Sequence, residues 1–201
     1  MSVDRSTVLK RCRALDLNPA YLGVTVKKNR KGRNTGKANK KISEYGLQLR
    51  EKQKAKFIYG VQEKPFRNLY KRAEKMKGIS GSNLMILLEL RLDNVIFRLG
   101  LARTRREARQ IVSHRHVLVN GKVVNIPSYT LKEGDKIEIR EKSRSSQMFK
   151  DIAEINGTLA VPEWLKAGAA GTFSGTVMQK PLREQIDVPV NETLIVELYS
   201  K

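Results

Sequence analysis

One short segment, LARTRREARQIVSHRHVLVNGKVV from Leu101 to Val124, concentrates side chains that bind anions. Four arginines fall within seven of its residues, and they are Arg103, Arg105, Arg106 and Arg109. A planar guanidinium donates paired hydrogen bonds to phosphate oxygens and stays charged at any physiological pH. The residue types and their spacing therefore favour phosphate binding as the chemistry of this segment.

These arginines lie on or beside a predicted short helix that begins after Thr104 and ends near Ser113. Thr104 and Glu107 have the spacing of a capping box, in which hydroxyl and carboxylate satisfy backbone N–H groups reciprocally. At about 100° per residue, the helix has a small apolar side next to a basic side. The apolar side holds Ala108, Ile111 and Val112, and the basic side holds Arg105, Arg106 and Arg109. Because Glu107 is the only acid within the helix, we predict that the basic side faces phosphate.

A small antiparallel sheet is predicted directly after this helix. Asn120-Gly121 tolerates the positive φ angles of a type I′ turn and so indicates a hairpin. The predicted strands are Val117–Val119, Lys122–Val124, Tyr129–Leu131 and Lys136–Arg140. The region from about 91 to 142 is thus a module of short helices and strands, and Lys122 joins the candidate RNA-binding residues.

The composition points to a polyanionic partner. The 201 residues include 40 Lys and Arg against 20 Asp and Glu, for a net charge of +20. Like charges oppose compaction, so an anionic ligand is the simplest reason for this surplus. An anionic membrane is the competing explanation, but no apolar run is long enough to span a bilayer and the N-terminus lacks a signal-peptide core. We therefore expect a cytoplasmic protein with no membrane partner.

No catalytic or metal-binding motif is found. P-loop, HExxH and GxSxG patterns are absent. His114 and His116 supply only half of a tetrahedral site, and Cys12 is the only cysteine. We expect no enzyme activity, no cofactor and no metal.

Most of the positive charge lies in the first three quarters of the chain. Residues 1–50 carry 13 basic and 3 acidic side chains, whereas residues 151–201 carry 4 basic and 7 acidic. Residues 27–41 hold 8 basic side chains and no acid, which indicates either a solvated linker or, as we favour, an arm that becomes ordered on RNA. The candidate RNA-binding residues of the arm are Lys27, Lys28, Arg30, Lys31 and Arg33.

Helices are predicted on both sides of the module. Ser43 caps a helix that runs to Tyr59 and whose exposed side supplies further candidate RNA-binding residues, namely Arg50, Lys52 and Lys54. A second helix opens at Pro65 with an apolar stripe of Phe66, Leu69, Tyr70 and Ala73. The final segment, NETLIVELYSK, is predicted to be a strand.

Residues 91–144, RLDNVIFRLGLARTRREARQIVSHRHVLVNGKVVNIPSYTLKEGDKIEIREKSR, resemble the RNA-binding module of the universal S4 family of bacterial small-subunit ribosomal proteins, uS4. The segments SEYGLQLREKQKAKFIYG before the module, and VPEWL and NETLIVELYSK after it, are also similar to the family. Some family members hold zinc with N-terminal cysteines, but this chain has only Cys12, so no metal is carried over.

This resemblance implies an α+β fold in two parts. A mostly helical domain, residues 1–90 plus 150–201, would carry an inserted RNA-binding module at 91–149. It also implies a structural, non-enzymatic component of the small ribosomal subunit in the cytoplasm. Such a protein binds 16S ribosomal RNA directly, nucleates assembly of the subunit body and contributes to translational accuracy. The implied partners are neighbouring ribosomal proteins, notably number five, and messenger RNA near the entry channel.

Two other functions fit parts of the sequence. RNA-modifying enzymes such as pseudouridine synthases, and some tRNA synthetases, carry the same module, but the rest of this chain shows no catalytic machinery. A DNA-binding regulator would use the helices around Gly100 as a helix-turn-helix. The hairpin that follows and the basic arm count against that alternative.

Overall fold

The computed structural model describes residues 7–24, 42–156, 160–169 and 172–200. Within these residues the chain is an α+β protein, as predicted, with short helices and one antiparallel sheet. The α-helices are α1 Val8–Leu15, α2 Glu44–Tyr59, α3 Glu63–Glu74, α4 Ser80–Glu89, α5 Leu92–Arg98, α6 Arg105–Ser113, α7 Glu141–Arg144, α8 Gln147–Asn156 and α9 Glu192–Tyr199. Single 3-10 turns lie at Pro19–Leu22 and Arg183–Gln185. No described helix is long and apolar enough to cross a membrane.

The described residues pack as two compact units. The first holds those up to Ile58 together with those from Val188 onward, and the second holds Tyr59–Asp187. The predicted division into a helical domain, residues 1–90 plus 150–201, and an inserted module, residues 91–149, stays a prediction. The compact unit that contains the module is longer than the predicted 91–149, because it begins at Tyr59 and ends at Asp187.

Helix α2 up to Ile58 and helix α9 belong to the first unit. The N-terminal end of α2 is capped as predicted, since Ser43 Oγ accepts a hydrogen bond from the Gly46 N–H at 3.2 Å. The predicted C-terminal strand was wrong, because that segment is helix α9. Asn191 Oδ1 caps it through the Thr193 N–H at 3.1 Å, and Ile195 is fully buried on one side. The cap and the burial of Ile195 outweigh the β-propensity of the Ile-Val pair.

The sheet lies in the second unit and has the strand order β2-β1-β3-β5-β4. Its strands are β1 Val117–Val119, β2 Lys122–Val123, β3 Lys136–Ile139, β4 Leu165–Ala167 and β5 Ser174–Val177. The hairpin register pairs Val119 with Lys122, as the Asn-Gly turn predicts. One face of β1 and β3 packs with α5, α6 and α8 into a core that includes Ile96, Ile111 and Trp164.

The predicted second strand pair was wrong. Residues 129–131 form no strand, and Thr130 makes only an isolated bridge to Arg91. Strand β3 pairs instead with β1 on one side and β5 on the other, with Ile137 opposite Gly175. A partner that lies nearly 40 residues away in sequence outcompetes the adjacent segment because it continues the buried face of the sheet.

Candidate nucleic-acid interface

The first turn of α6 is fixed by hydrogen bonds from two neighbouring residues. Thr104 Oγ1 accepts from the Glu107 N–H at 3.2 Å, which confirms the predicted cap. The Glu107 carboxylate accepts from the Arg103 N–H at 2.6 Å and from its guanidinium at 2.8 Å. Partial burial raises the pKa of Glu107, but the bonds from Arg103 outweigh burial and leave that pKa below the ordinary 4.5. Arg103 therefore sits half-exposed at the start of the helix with an acid beside it.

Arg105 points into the protein and not towards solvent. Arg105 is only 7% exposed, and its Nε donates a hydrogen bond to Asn94 Oδ1 at 2.7 Å. Its guanidinium also lies 4.3 Å from the ring centroid of Phe97 and 5.2 Å from that of Tyr59. The predicted phosphate-facing stripe was wrong in including Arg105, because Asn94 and two aromatic rings enclose this guanidinium.

A buried carboxylate organises the polar groups near Arg105. Glu89 is 1% exposed and accepts hydrogen bonds from Tyr59 Oη at 2.6 Å, Asn94 Nδ2 at 2.7 Å and Arg98 at 2.9 Å. Arg98 also donates to Asp187 at 2.6 Å. Burial raises the pKa of Glu89, but the charge and hydrogen bonds of Arg98 outweigh burial and hold it below the ordinary 4.5. The cluster therefore joins Tyr59, α4 and α5 within the second unit through one ionised carboxylate.

Arg109 is also largely occupied inside the protein. Its Nη1 donates to the carbonyl of Gly60 at 2.7 Å, and its Nη2 donates to Asp93 Oδ2 at 2.8 Å. Asp93 is buried and also accepts two hydrogen bonds from Arg91, at 3.0 and 2.7 Å. With 28% of its side chain exposed, Arg109 mainly fixes α6 to Gly60 and to α5.

Exposed positive charge is found on the outer face of α6 and at the turn that follows it. Arg106 is exposed on its outer face, and the chain turns at Arg115, whose φ of 63° lies in the left-handed region. Arg140, at the end of β3, donates to the Arg115 carbonyl at 3.2 Å. The β1–β3 pairing brings these two arginines together. Our sequence reasoning did not select Arg115 or Arg140, because their proximity follows from strand register and not from spacing along the chain.

His116 lies beside Arg115 at this corner and is partly buried. Its Nδ1 lies 2.9 Å from Ser143 Oγ, and its ring lies edge-on to Phe149 at 6.0 Å. Burial, His114 and Arg140 together lower the pKa of His116 below the ordinary 6.5. Among the described residues, no three His, Cys, Asp or Glu side chains come together as metal ligands.

Lys122 is exposed on the rigid hairpin. Asn120 and Gly121 both have positive φ, 50° and 77°, as a type I′ turn requires. The Asn120 side chain accepts from the Lys136 N–H at 2.9 Å and donates to Asp135 at 2.8 Å. The turn is therefore fastened to the start of β3, which fixes the position of the lysine that follows it.

The basic side chains predicted on α2 are half-buried. Lys54 forms an ion pair with Glu51 at 2.6 Å, and the Lys52 ammonium lies 5.3 Å from the ring centroid of Tyr199. The Nε of Arg50 is buried and has no hydrogen-bond partner among the described residues. The predicted arm residues Lys27, Lys28, Arg30, Lys31 and Arg33 lie outside the described residues.

Two protein-family models match the chain. The model described as Ribosomal protein S4/S9 N-terminal domain matches residues 5–89, and the model of the S4 domain matches residues 90–137. The small ribosomal subunit protein uS4 of Lachnospira eligens is 66% identical over 201 residues, which cover 100% of both chains. The protein of the same name from Agathobacter rectalis is 65% identical over the same length. That of Clostridium tetani is 60% identical over 83% of this chain and 79% of its own.

Proposed function

The chain belongs to the uS4 family of small-subunit ribosomal proteins, and from this premise we propose that its sheet module holds ribosomal RNA through phosphate contacts at the corner formed by α6, β1 and β3. The protein is a structural component of the small ribosomal subunit, not an enzyme, and it binds ribosomal RNA and neighbouring ribosomal proteins.

The observation that carries this proposal is that the guanidinium of Arg140 lies against the turn at Arg115. The Arg140 guanidinium donates to the backbone carbonyl of Arg115 at 3.2 Å, and the side chain of Arg115 is exposed at the same turn. In the described part of the chain, neither forms an ion pair with a carboxylate. Two basic side chains at one corner of the fold without an acidic partner are most simply explained by an anionic ligand.

The remaining candidate contacts follow from exposure. Arg106 and Lys122 are exposed on the same module, and Arg103 is half-exposed beside Glu107. Arg105 and Arg109 are assigned to positioning α6 instead. Arg50, Lys52, Lys54 and the arm stay predicted contacts of the helical part. These contacts would recognise the shape and backbone of folded RNA more than its base sequence.

The test is a double variant, Arg115→Gln with Arg140→Gln, in the full chain. Binding to a transcript of the small-subunit ribosomal RNA is measured between 50 and 200 mM salt. Each lost phosphate contact lowers the slope of log affinity against log salt by about 0.7–0.9, so we expect a decrease of about 1.4–1.8. The control, Lys166→Gln with Lys180→Gln, removes the same charge from exposed positions of β4 and the loop after β5 and should leave the slope unchanged.

An unchanged slope in the double variant, with an unchanged urea midpoint, would contradict the proposal. A preference for duplex DNA over the transcript in competition would contradict it as well. It would favour instead the helix-turn-helix alternative around Gly100.

We also propose the finer roles that family membership suggests. These are nucleation of subunit-body assembly, a contribution to translational accuracy, contact with ribosomal protein number five and proximity to messenger RNA at the entry channel. A nucleating protein must bind the ribosomal RNA transcript before any other ribosomal protein is added. Order-of-addition reconstitution tests this, and a requirement for prior binding of other proteins would contradict it.

A further inference from the structure

The tip of the β1–β2 hairpin carries a pair of residues whose chemical reactivity RNA binding does not use. Asn120 is followed by Gly121, and both are exposed. The backbone nitrogen of the next residue can attack the amide carbon of an asparagine, and glycine obstructs this attack least because it has no Cβ. A Cβ built on Gly121 would meet no heavy atom within 4 Å apart from its chain neighbours. This side of the turn is therefore open to the reaction.

The attacking nitrogen at this turn is free of competing hydrogen bonds. No acceptor among the described residues receives a hydrogen bond from the Gly121 N–H. Asn125 is exposed in the same module but is followed by Ile126, whose β-branched side chain crowds the backbone beside it. Of these two exposed asparagines, Asn120 is therefore the one that is placed to react.

Two hydrogen bonds hold the Asn120 amide against the start of β3. Its Oδ1 accepts from the Lys136 N–H at 2.9 Å, and its Nδ2 donates to Asp135 Oδ1 at 2.8 Å. The other carboxylate oxygen of Asp135 accepts from the Lys132 N–H at 2.7 Å. A neutral amide both donates and accepts, whereas a carboxylate in its place could only accept. The fastening of the turn thus depends on a donor that loss of the amide nitrogen would remove.

We propose that Asn120-Gly121 is a self-modification site of this protein, at which deamidation turns the fastening of the hairpin into a repulsion. The Gly121 nitrogen forms a bond to Asn120 Cγ, the bond from Cγ to Nδ2 breaks, and ammonia leaves with the proton of the attacking nitrogen. Water then opens the cyclic imide at either of its carbonyls, which gives aspartate or isoaspartate. One water is taken up and one ammonia is released, and no oxidant or reductant is needed.

Both products weaken the turn. The side chain at position 120 becomes a carboxylate, so the 2.8 Å hydrogen bond to Asp135 loses its donor and two carboxylates face each other. Isoaspartate also lengthens the main chain by one atom, which breaks the type I′ geometry. Lys122 directly follows the turn, so its position is released when the fastening is lost. The modified protein should therefore hold RNA less tightly.

The hydrogen bond to Asp135 also controls the rate of the reaction. While it is intact, it restrains the rotation of the amide that the attack requires. The reaction therefore proceeds from conformations in which the hairpin tip has opened locally. Removal of the Asp135 carboxylate should accordingly speed the modification of Asn120.

Only the effect on RNA rests on the proposed function. The reaction and its effect on stability belong to the hairpin itself, so both are measured without RNA. The two parts of the proposal can therefore fail separately from the proposed function.

The experiment incubates the full chain at mildly alkaline pH and samples it over time. Peptide mass mapping with an isoaspartyl assay measures modification at each asparagine, and urea unfolding measures stability. Asn125 is the internal control. Asp135→Ala is compared with Glu133→Ala, which removes an acid that binds the Lys180 N–H and not Asn120.

We expect modification at Asn120, with one ammonia released per modified chain, and none at Asn125 over the same period. Asp135→Ala should react faster than the unsubstituted chain, whereas Glu133→Ala should react at the same rate. The modified fraction should unfold at a lower urea concentration, and Asn120→Asp should show that lower midpoint from the start. Asn120→Asp with Asp135→Asn restores a donor to the pair and should recover most of the loss.

The consequence for RNA is measured with the small-subunit ribosomal RNA transcript. The incubated chain and Asn120→Asp should both bind with a slope of log affinity against log salt that is lower by about 0.7–0.9, because the Lys122 contact is lost. Asn120→Gly cannot undergo the reaction, so its affinity should not change during the incubation.

Other outcomes overturn the proposal. Equal modification of Asn120 and Asn125, an equal rate in Asp135→Ala, or an equal urea midpoint before and after modification would each contradict it. An unchanged salt slope in a modified chain that bound RNA when fresh would contradict the consequence for RNA. If the fresh chain does not bind the transcript, the proposed function fails, while the modification and stability results still decide this proposal. Should Asn120→Asp not fold, the midpoint of the incubated chain decides it.

Discussion

The guanidinium of Arg105 lies 4.3 Å from the ring centroid of Phe97, so an arginine of α6 packs on an aromatic residue of α5. The same guanidinium donates to Asn94 one turn earlier on α5. Asn94 in turn donates to the Glu89 carboxylate at 2.7 Å. Helix α6 is thus held to α5 by a buried polar chain as well as by the apolar contacts of its other side.

Replacement of Arg105 tests this structural role. We expect Arg105→Ala to lower the free energy of unfolding by about 2–4 kcal/mol, because a buried hydrogen bond and two cation–π contacts are lost. Arg105→Lys should recover little, since an ammonium cannot stack as a planar guanidinium does. Urea unfolding measures both. Arg106→Ala on the exposed face is the control, with an expected change below about 0.5 kcal/mol, and equal losses at both positions would contradict the assignment.

Glu89→Gln tests the buried cluster beside it. Loss of the negative charge leaves the partly buried Arg98 with only Asp187, so we expect a loss of about 3–5 kcal/mol at pH 7. The exposed Glu154→Gln on α8 is the matched control and should change the free energy of unfolding by less than about 0.5 kcal/mol.

The same variant predicts a pH dependence. Arg98 holds the folded-state pKa of Glu89 below its ordinary value of 4.5, despite the opposing effect of burial. The stabilisation is therefore complete above pH 4.5 and is lost as pH falls through the lowered folded-state pKa. The difference in unfolding free energy between the unmodified chain and Glu89→Gln should shrink below pH 4.5. A difference that stays constant through the acid range would show that Glu89 is not ionised in the folded protein.

Features with local physical causes could be predicted from the sequence. The Thr104 cap of α6 and the Asn120-Gly121 turn each depend on residues within four positions, and both are present. The inward position of Arg105 could not be predicted, because Asn94 and Tyr59 lie 11 and 46 residues away. From its charge alone, an arginine is expected on the surface. Only the tertiary structure shows that aromatic rings and the amide of Asn94 surround the Arg105 guanidinium.

The candidate site divides in the same way. The exposure of Arg106 follows from the helical periodicity of α6, and that of Lys122 follows from its position directly after the Asn120-Gly121 turn. The corner of Arg115 and Arg140 depends on the β1–β3 register, which positions Val117 opposite Ile139.

Asn120 should contribute through both its backbone and its side chain. Asn120→Ala removes hydrogen bonds to Lys136 and Asp135 and places alanine at a φ of 50°, so we expect a loss of about 2–3 kcal/mol. Asn120→Gly loses the same bonds without the positive-φ penalty and should cost about 1 kcal/mol less. Thermal or urea unfolding separates the two. Equal losses would indicate that the left-handed backbone carries no strain in this turn.

The salt dependence of RNA binding distinguishes an arginine that contacts phosphate from one that positions the helix. Arg106→Ala should reduce the slope of log affinity against log salt by about 0.7–0.9, because one phosphate contact is lost. Arg109→Ala removes the hydrogen bonds to Asp93 and to the Gly60 carbonyl. It should therefore lower the free energy of unfolding by about 1–3 kcal/mol.

At equal folded fraction, we expect Arg109→Ala to weaken RNA binding while leaving the salt slope unchanged, because α6 is misplaced but no counterion-releasing contact is lost. Arg109→Lys keeps the charge and loses the paired geometry, so it should behave like the alanine variant in stability. If Arg109→Ala lowers the slope by as much as Arg106→Ala does, then Arg109 leaves Asp93 on binding and reaches phosphate. Asp93 would then compete with phosphate for Arg109, and Asp93→Asn should tighten RNA binding.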